Sequence, residues 1–301
     1  MKKKRIQTSS LFQLSLLFIQ PVFMTSNLAI ARGALGNIPP ISLACSRWII
    51  VFLVFFPFIY QNIKKKKKYF KKEFWQLFFL SATGYAGCGA LPYISGLTTT
   101  VTNMSIIYAL SPIFIVLLSA CIYSERLKFL QYCAVLLSLF GVFFIIFKGQ
   151  LINFLNLNFS IGDLWIFGAA MCWSLFSIFL INWKSKFNII ERFTLMSLLG
   201  SLILIPFFLI EHFLYLPTNF DFNYLKFTFM AAIFPGIIAF LMYTKLQQVV
   251  GASITGLTVY LMPIYGAIYG IFLFYEKLDV YHFYGAAFVV IGIFFAKKKY
   301  K

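Results

Sequence analysis

Residues 110–144 read LSPIFIVLLSACIYSERLKFLQYCAVLLSLFGVFF, and residues 261–295 read LMPIYGAIYGIFLFYEKLDVYHFYGAAFVVIGIFF. In both stretches a glutamate follows the proline by 13 residues and a glycine follows the glutamate by 16, so equivalent positions differ by 151. Each stretch predicts an apolar helix, a short polar turn and a second apolar helix. Two such hairpins at a fixed offset predict an internal repeat.

The prolines and glutamates of the hairpins are candidate gating or structural residues. Pro112 and Pro263 cannot donate to the carbonyls of Tyr108 and Val259, so we expect a kink in each helix. In lipid a freed carbonyl must find another partner or line a cavity. Glu125 and Glu276 lie at helix ends, where a carboxylate can cap the helix that follows. A role in bracing gates or relaying protons stays open for both.

The composition predicts an all-α integral membrane protein. The 301 residues are 61% hydrophobic, only 11% are charged and the mean hydropathy is +0.87. That leaves too little polar surface for a soluble globule. Apolar runs of spanning length predict ten transmembrane helices, near residues 11–31, 41–60, 74–97, 104–123, 129–147, 161–182, 192–213, 224–244, 252–274 and 280–296.

The basic residues predict the topology. With the N-terminus inside, 21 lysines and arginines fall in inner segments and four in outer segments. This bias predicts that both termini are cytoplasmic. Five helices per half is an odd number, so the two halves must be inverted. The predicted units are a basic tail at 1–9, one repeat at 10–148, a second at 160–297 and a tail at 298–301.

Other charged and sulfur-containing residues add little to the assignment. Seven lysines between Lys64 and Lys72 predict a cytoplasmic loop that fixes topology, and this loop can also contact anionic lipid headgroups. The net charge of +18 is spread over such segments, so no nucleic acid partner is expected.

The five cysteines and two histidines have no spacing that predicts a disulfide or a metal site. A GxxxG sequence at residues 266–270 favours packing within the fold.

The sequence resembles the EamA-type family of the drug/metabolite transporter superfamily. The resemblance is carried by Ser111-Pro112 through Leu127, by Met262-Pro263 through Leu278, and by Ile38-Pro39-Pro40 followed by Ser46-Arg47-Trp48. It implies ten helices, cytoplasmic termini and a central cavity lined mainly by helices 1, 3, 4, 6, 8 and 9. Family members move amino acids, other small metabolites, amines or drugs. The second half has no arginine equivalent to Arg47.

Polar and aromatic side chains on those helices are the candidates for substrate binding. They are Gln20, Asn27, Tyr85, Tyr108, Trp173, Ser177, Tyr243, Tyr260 and Tyr265. Plain packing or a place in the interfacial belt is the alternative for each ring. Arg47 is the one charge deep within a predicted helix. It either extends to the outer interface or neutralises a substrate carboxylate or closes the outer gate.

These features favour a secondary transporter of small neutral or zwitterionic metabolites, amino acids or related amines above all, in a bacterial inner membrane. An exporter of drugs or other amphipathic compounds is the alternative within the same fold. An intramembrane enzyme is disfavoured because no catalytic cluster is found in the sequence. No cofactor and no metal are expected, and homo-oligomers are left open.

Overall fold

The computed structural model describes residues 10–36, 38–123, 129–147, 149–150, 160–250 and 256–297, and every regular element in those ranges is helical. The first half contains five helical segments. They are α1 (Ser10–Gly33), α2 (Pro40–Lys65), α3 (Lys67–Ser81, a π-helical turn Ala82–Gly87 and Cys88–Ser95), α4 (Val101–Tyr108 and Ser111–Tyr123) and α5 (Phe129–Ile146).

Five further segments make up the second half. They are α6 (Ile161–Asn182), α7 (Ile189–Ile210 and a π-helical turn Glu211–Tyr215), α8 (Phe222–Ala231, a π-helical turn Ala232–Ile238 and Ala239–Val250), α9 (a 3₁₀ turn Gly256–Leu261 and Met262–Phe274) and α10 (Val280–Lys297). Within the described ranges these segments overlap the predicted apolar runs. Five of them, α2, α3, α6, α7 and α8, are long and apolar enough to cross a membrane, and shorter apolar helices accompany them. The protein is thus an all-helical integral membrane protein.

The lysine-rich segment differs from its prediction as a loop. Helix α2 continues through Lys65 and α3 begins at Lys67, so only Lys66 interrupts the helices. Lysine is a good helix former, and cations at the end of α2 complement its dipole. Lys66 also forms an ion pair with Glu191 at 2.6 Å, which ties this break to the start of α7.

The two repeated prolines lie at helix starts, whereas a kink in mid-helix was predicted. Pro112 is the second residue of a helical stretch that begins at Ser111, and Pro263 lies in the first turn after the 3₁₀ segment of α9. Proline is tolerated in a first turn, where its missing N–H would lack a partner anyway. The chain therefore breaks each helix before the proline. The Ser111 hydroxyl donates to the carbonyl of Tyr108 at 2.6 Å, which satisfies the predicted free acceptor.

The two halves pack with matching partners. Helix α2 packs on α7 and α5 on α10, which pairs equivalent helices of the two halves. Helix α1 contacts α8 and α9, and its counterpart α6 contacts α3 and α4. The GxxxG sequence packs inside the fold as predicted, since a Cβ at Gly266 would collide with Ser105 of α4. The central space enclosed by these contacts contains the candidate site.

Candidate functional site

A small cavity of about 30 Å³ lies between the two halves. It is lined by residues from α1, α2, α3, α4, α6, α8 and α9: Met24, Asn27, Leu28, Arg47, Trp48, Gly84, Cys88, Tyr108, Trp173, Pro235, Phe240 and Met262. The wall includes the six helices that the family resemblance implies, and α2 in addition.

A second cavity, narrower than the first, adjoins it. The two share Met24, Trp173 and Met262, and the second is lined further by Gln20, Pro21, Tyr243, Thr258 and Val259. We refer to them as the main cavity and the side cavity. Their common wall is apolar, whereas each has a polar side chain away from that wall.

Arg47 supplies the positive charge of the main cavity. Its Nη1 donates to Asn27 Oδ1 at 2.6 Å and to the Tyr93 hydroxyl at 2.9 Å, and Tyr93 in turn donates to Asn27 Oδ1 at 2.9 Å. The guanidinium also lies 4.3 Å from the centroid of the Trp48 ring, within the range of a cation–π contact. Only 3% of Arg47 is exposed, so the side chain does not extend to the protein surface.

The charge of Arg47 has no counter-ion in the described part of the chain. Among the described residues no carboxylate lies within ion-pair distance of it, and its Nε has no hydrogen-bond partner. A buried cation without a counter-ion is costly. Asn27 and Tyr93 orient the guanidinium, but both are neutral and do not compensate the burial of its charge. The main cavity is therefore suited to an anionic group.

The π-helical turn of α3 fixes the indole ring of Trp48 at the wall of the main cavity. Such a turn shifts the usual i to i+4 pairing of the backbone, so carbonyls become free for other partners. The carbonyl of Tyr85, within this turn, accepts a hydrogen bond from Trp48 Nε1 at 2.7 Å. Trp48 is consequently fixed at the cavity wall, with its indole N–H satisfied.

Aromatic rings form much of the remaining wall. The Trp173 ring centroid lies 5.7 Å from that of Tyr243, 6.0 Å from Phe240 and 6.5 Å from Tyr108. Phe240 contacts Trp48 edge-on, with centroids 5.8 Å apart. The arrangement offers flat, weakly polar faces to the apolar part of a ligand.

The structure brings together five of the nine predicted binding residues. Asn27, Tyr108 and Trp173 line the main cavity, and Gln20, Tyr243 and again Trp173 line the side cavity. The other four, Tyr85, Ser177, Tyr260 and Tyr265, line neither cavity.

Packing elsewhere places Tyr85, Ser177 and Tyr265 outside the two cavity walls. Tyr85 is fully buried with its ring 6.0 Å from that of Phe176, and the Tyr265 hydroxyl donates to the carbonyl of Phe18 at 3.0 Å. The side chain of Ser177 is buried in α6. Side-chain type and helix assignment alone did not tell cavity faces from packing faces.

Glu276 caps a helix, but not the one predicted. Its carboxylate accepts hydrogen bonds from the backbone N–H of Val101 at 2.7 Å and from the N–H and hydroxyl of Thr102 at 3.1 and 2.7 Å. It therefore caps α4 in the other half and not α10, which follows it in sequence. Tyr275 adopts a left-handed conformation with φ of 54°, and this turns Glu276 back toward α4. Glu125 lies outside the described residues.

The sequence reasoning missed a pair of cavity residues that the repeat could have identified. Gly84 and Pro235 both line the main cavity, both lie in π-helical turns, and their numbers differ by the repeat offset of 151. Trp48 and Phe240 were also missed, and one signal for Trp48 was its place next to Arg47. No sequence signal distinguishes Phe240 from the many other phenylalanines.

A polar cluster at the Glu276 end of the bundle was likewise missed. Asp163 of α6 accepts a hydrogen bond from the Thr99 hydroxyl, and Asn103 Oδ1 lies 3.2 Å from Nε2 of His282 in α10. Nδ1 of His282 accepts from the backbone N–H of Asp279 at 3.0 Å, so Nε2 carries the ring proton and donates to Asn103. The cluster joins α4, α6 and α10. Among the described residues no group of three or more metal-binding side chains is present.

The fold and the site together define a class: a polytopic helical membrane protein with two repeated halves around a central, partly polar cavity. The sequence model of the EamA-like transporter family matches residues 11–147 and again residues 160–297. The chain belongs to this family, as the sequence resemblance indicated, and is therefore a membrane transporter.

Individual relatives agree with this assignment. The chain is 22% identical over 272 residues to YyaM of Bacillus subtilis (strain 168), described as an uncharacterized transporter, with 90% of this chain and 89% of YyaM covered. It is 24% identical over 226 residues to an uncharacterized transporter of Methanothermobacter thermautotrophicus, covering 74% of this chain and 65% of that protein. A solved crystal structure shares the fold, with a TM-score of 0.60 at 17% identity and coverage of 94% and 95%. The family and these two relatives are described as transporters.

Proposed function

We propose that this protein is a secondary transporter of small carboxylate-bearing metabolites, amino acids above all, across the inner membrane of a bacterium. The observation that carries the proposal is Arg47, which faces the main cavity, is buried, and has no carboxylate partner among the described residues. A substrate carboxylate supplies the missing counter-ion and a hydrogen-bond acceptor for the guanidinium. The aromatic wall then packs against the apolar part of the same molecule.

The positive charge of the main cavity restricts the classes of substrate that the sequence predicts. An amine without a carboxylate would bring a second positive charge next to Arg47, which is unfavourable in a low-dielectric cavity. The same repulsion disfavours cationic amphipathic compounds as the main cargo. Zwitterions and weak acids fit the site better, because their anionic group pairs with Arg47 and their net charge stays small.

Transport by alternating access requires that the site be exposed in turn to the two sides. The two repeated halves, inverted on the positive-inside count, give the pseudo-symmetry on which such an exchange depends. The main cavity is lined by both halves, so a rocking of one half against the other would change access to Arg47 without dismantling its contacts within α1, α2 and α3.

The test is a binding and counterflow measurement on the full-length protein in proteoliposomes. We expect amino acids to be bound and exchanged by the wild type, and Arg47→Gln to weaken binding of carboxylate compounds about tenfold or more. Arg47→Lys should lose a large part of the affinity as well, because an ammonium lacks the planar fork of the guanidinium.

Arg32→Gln is the matched control, since Arg32 donates to the carbonyl of Gly96 at 3.1 Å and lines neither cavity. It removes one positive charge from the chain and should leave the affinity unchanged. Equal affinity of wild type and Arg47→Gln for every carboxylate compound would refute the proposal.

A further inference from the structure

The side cavity contains a buried polar atom to which no described residue donates a hydrogen bond. Gln20 is only 1% exposed, and its Oε1 has no hydrogen-bond partner among the described residues. The residue lines the side cavity, next to Met24 and Thr258. A buried acceptor without a donor is costly, so such an atom in a cavity wall calls for a donor from a bound molecule.

The partnerless atoms of the two cavities have complementary chemistry. Arg47 Nε in the main cavity is a donor with a positive charge, whereas Gln20 Oε1 in the side cavity is a neutral acceptor. Gln20 and Asn27, which holds Arg47, are seven residues apart on α1. Two turns of helix separate them, a rise of about 10 Å.

Between these two polar ends the wall is apolar. Met24, Trp173 and Met262 are the residues common to both cavities. A molecule that extends from one cavity into the other therefore needs an apolar middle. Its length must match about two helical turns, as in an amino acid with a long or aromatic side chain.

We propose that the side cavity is a second subsite, in which Gln20 binds a hydrogen-bond-donating group at the far end of the substrate. The preferred substrate then has a carboxylate at one end, an apolar body, and a hydroxyl or other neutral donor at the other end. This inference rests on the proposed function, because it takes Arg47 as the site of the carboxylate. Gln20 is a specificity-determining residue in this arrangement.

The experiment uses pairs of compounds that differ only in the terminal donor. L-Tyrosine is compared with L-phenylalanine, and 6-hydroxynorleucine with norleucine, by thermal shift and by counterflow with the full-length protein in proteoliposomes. We expect the wild type to bind the hydroxylated member of a pair about tenfold more tightly. A site built to bond a hydroxyl rejects the analogue that lacks it, since its own polar group stays unpaired.

Variants at Gln20 separate this role from a structural one. Gln20→Met keeps a similar size without an acceptor and should bind both members of each pair equally. Gln20→Glu keeps an acceptor and should retain the preference. This variant serves as the second test if Gln20→Met does not fold.

Thr25→Val is the matched control. Thr25 is on the same helix, is 0% exposed and has a partnerless hydroxyl among the described residues, but it lines neither cavity.

The outcomes distinguish the two proposals. If the wild type binds both members of every pair equally, or if the preference persists in Gln20→Met, the subsite is refuted and the carboxylate site at Arg47 stands. If no compound of either pair binds the wild type, the subsite is refuted, and the comparison of wild type with Arg47→Gln on other carboxylate compounds decides the carboxylate site. A preference that is lost in Gln20→Met and kept in Thr25→Val supports the subsite.

Discussion

At the scale of single residues, the contact between α9 and α4 depends on a missing side chain. Gly270 lies where Glu276 reaches across to α4, and a Cβ at this glycine would lie 2.7 Å from Thr102 Oγ1 and closer still to Glu276 Oε2. The close approach of two backbones is the usual reason for glycine at a helix interface in membranes. Here it also makes room for a carboxylate that caps the facing helix.

This arrangement predicts a coupling between Gly270 and Glu276. Gly270→Ala should lower the thermal stability of the purified protein, because it displaces the carboxylate from α4, and loss of a cap of this kind costs about 1–2 kcal/mol. In a Glu276→Ala background the same change should cost clearly less, since the group it displaces is already absent. Thermal unfolding of the four proteins forms the double-mutant cycle that measures the difference.

Gly168→Ala serves as the control for Gly270→Ala. The nearest atom to a Cβ at Gly168 is Leu91 Cδ1 at 3.6 Å, an ordinary van der Waals distance. The Gly168→Ala variant should be at least as stable as the wild type, because alanine is favoured over glycine inside a helix. Strictly additive effects of Gly270→Ala and Glu276→Ala would contradict the coupling.

At the scale of helices, the cavity is surrounded by irregular backbone. Gly84 and Pro235 lie in the π-helical turns of α3 and α8, Tyr108 lies at the break of α4, and Val259 lies in the 3₁₀ turn of α9. In a membrane, backbone with irregular pairing is tolerated where it is buried in protein or lines a cavity. Transporters place their sites at such breaks, because freed backbone groups and small shifts of helix halves are then available to the substrate.

The break in α4 leads to a prediction about Ser111. Ser111→Ala removes the hydroxyl that pairs with the Tyr108 carbonyl and should destabilise the protein by about 1–2 kcal/mol, since the carbonyl stays buried. Ser111→Ala combined with Pro112→Ala should recover stability, because the new N–H at position 112 can bond to that carbonyl. The double variant should nevertheless transport more slowly, as the break would be replaced by continuous helix.

Ser197→Ala is the control for the hydroxyl alone. Ser197 donates to the carbonyl of Thr194 at 2.8 Å within the unbroken part of α7. Loss of this hydroxyl should have a small effect, because the helix itself pairs that carbonyl. Thermal unfolding and counterflow rates are measured in parallel. A double variant as unstable as Ser111→Ala would contradict the prediction.

At the scale of the whole molecule, the two halves supply equivalent residues to one central site. Two residue pairs are separated by the repeat offset of 151: Gly84 with Pro235, and Tyr108 with Val259. Gly84, Pro235 and Tyr108 line the main cavity, and Val259 lines the side cavity. Only one half carries the arginine. The architecture is thus pseudo-symmetric, whereas the chemistry of the site is not, and an asymmetric substrate with one anionic end fits such a site.

The orientation of the whole molecule is tested by cysteine labelling. In a variant without native cysteines, a cysteine in place of Asp221 at the start of α8 should react with an impermeant maleimide in intact cells. A cysteine in place of Lys68 should react only after permeabilisation, because the positive-inside count places it in the cytoplasm. Labelling of position 68 in intact cells would contradict the predicted topology.

Hydropathy and the repeat were enough to predict the all-helical membrane class, the family and the positions of most helices, including α6 from residue 161 to 182. Hydropathy and a fixed residue offset are local or periodic properties, and they can be read without coordinates. Arg47 and Asn27 were also predicted as functional residues, because charges and amides are rare within membrane helices and need partners. The sequence did not show that these two residues contact each other.

Which face of each helix meets the cavity depends on how the helices pack and could not be predicted from the sequence. Tyr108 and Tyr265 are both tyrosines on predicted cavity helices, yet one lines the main cavity and the other faces α1. In a chain with 20% aromatic residues, both faces of many helices carry rings, so periodicity cannot separate them. The partner of Glu276 was beyond the sequence for a related reason: its carboxylate bonds to α4, about 175 residues away, through a contact set by helix packing and the turn at Tyr275.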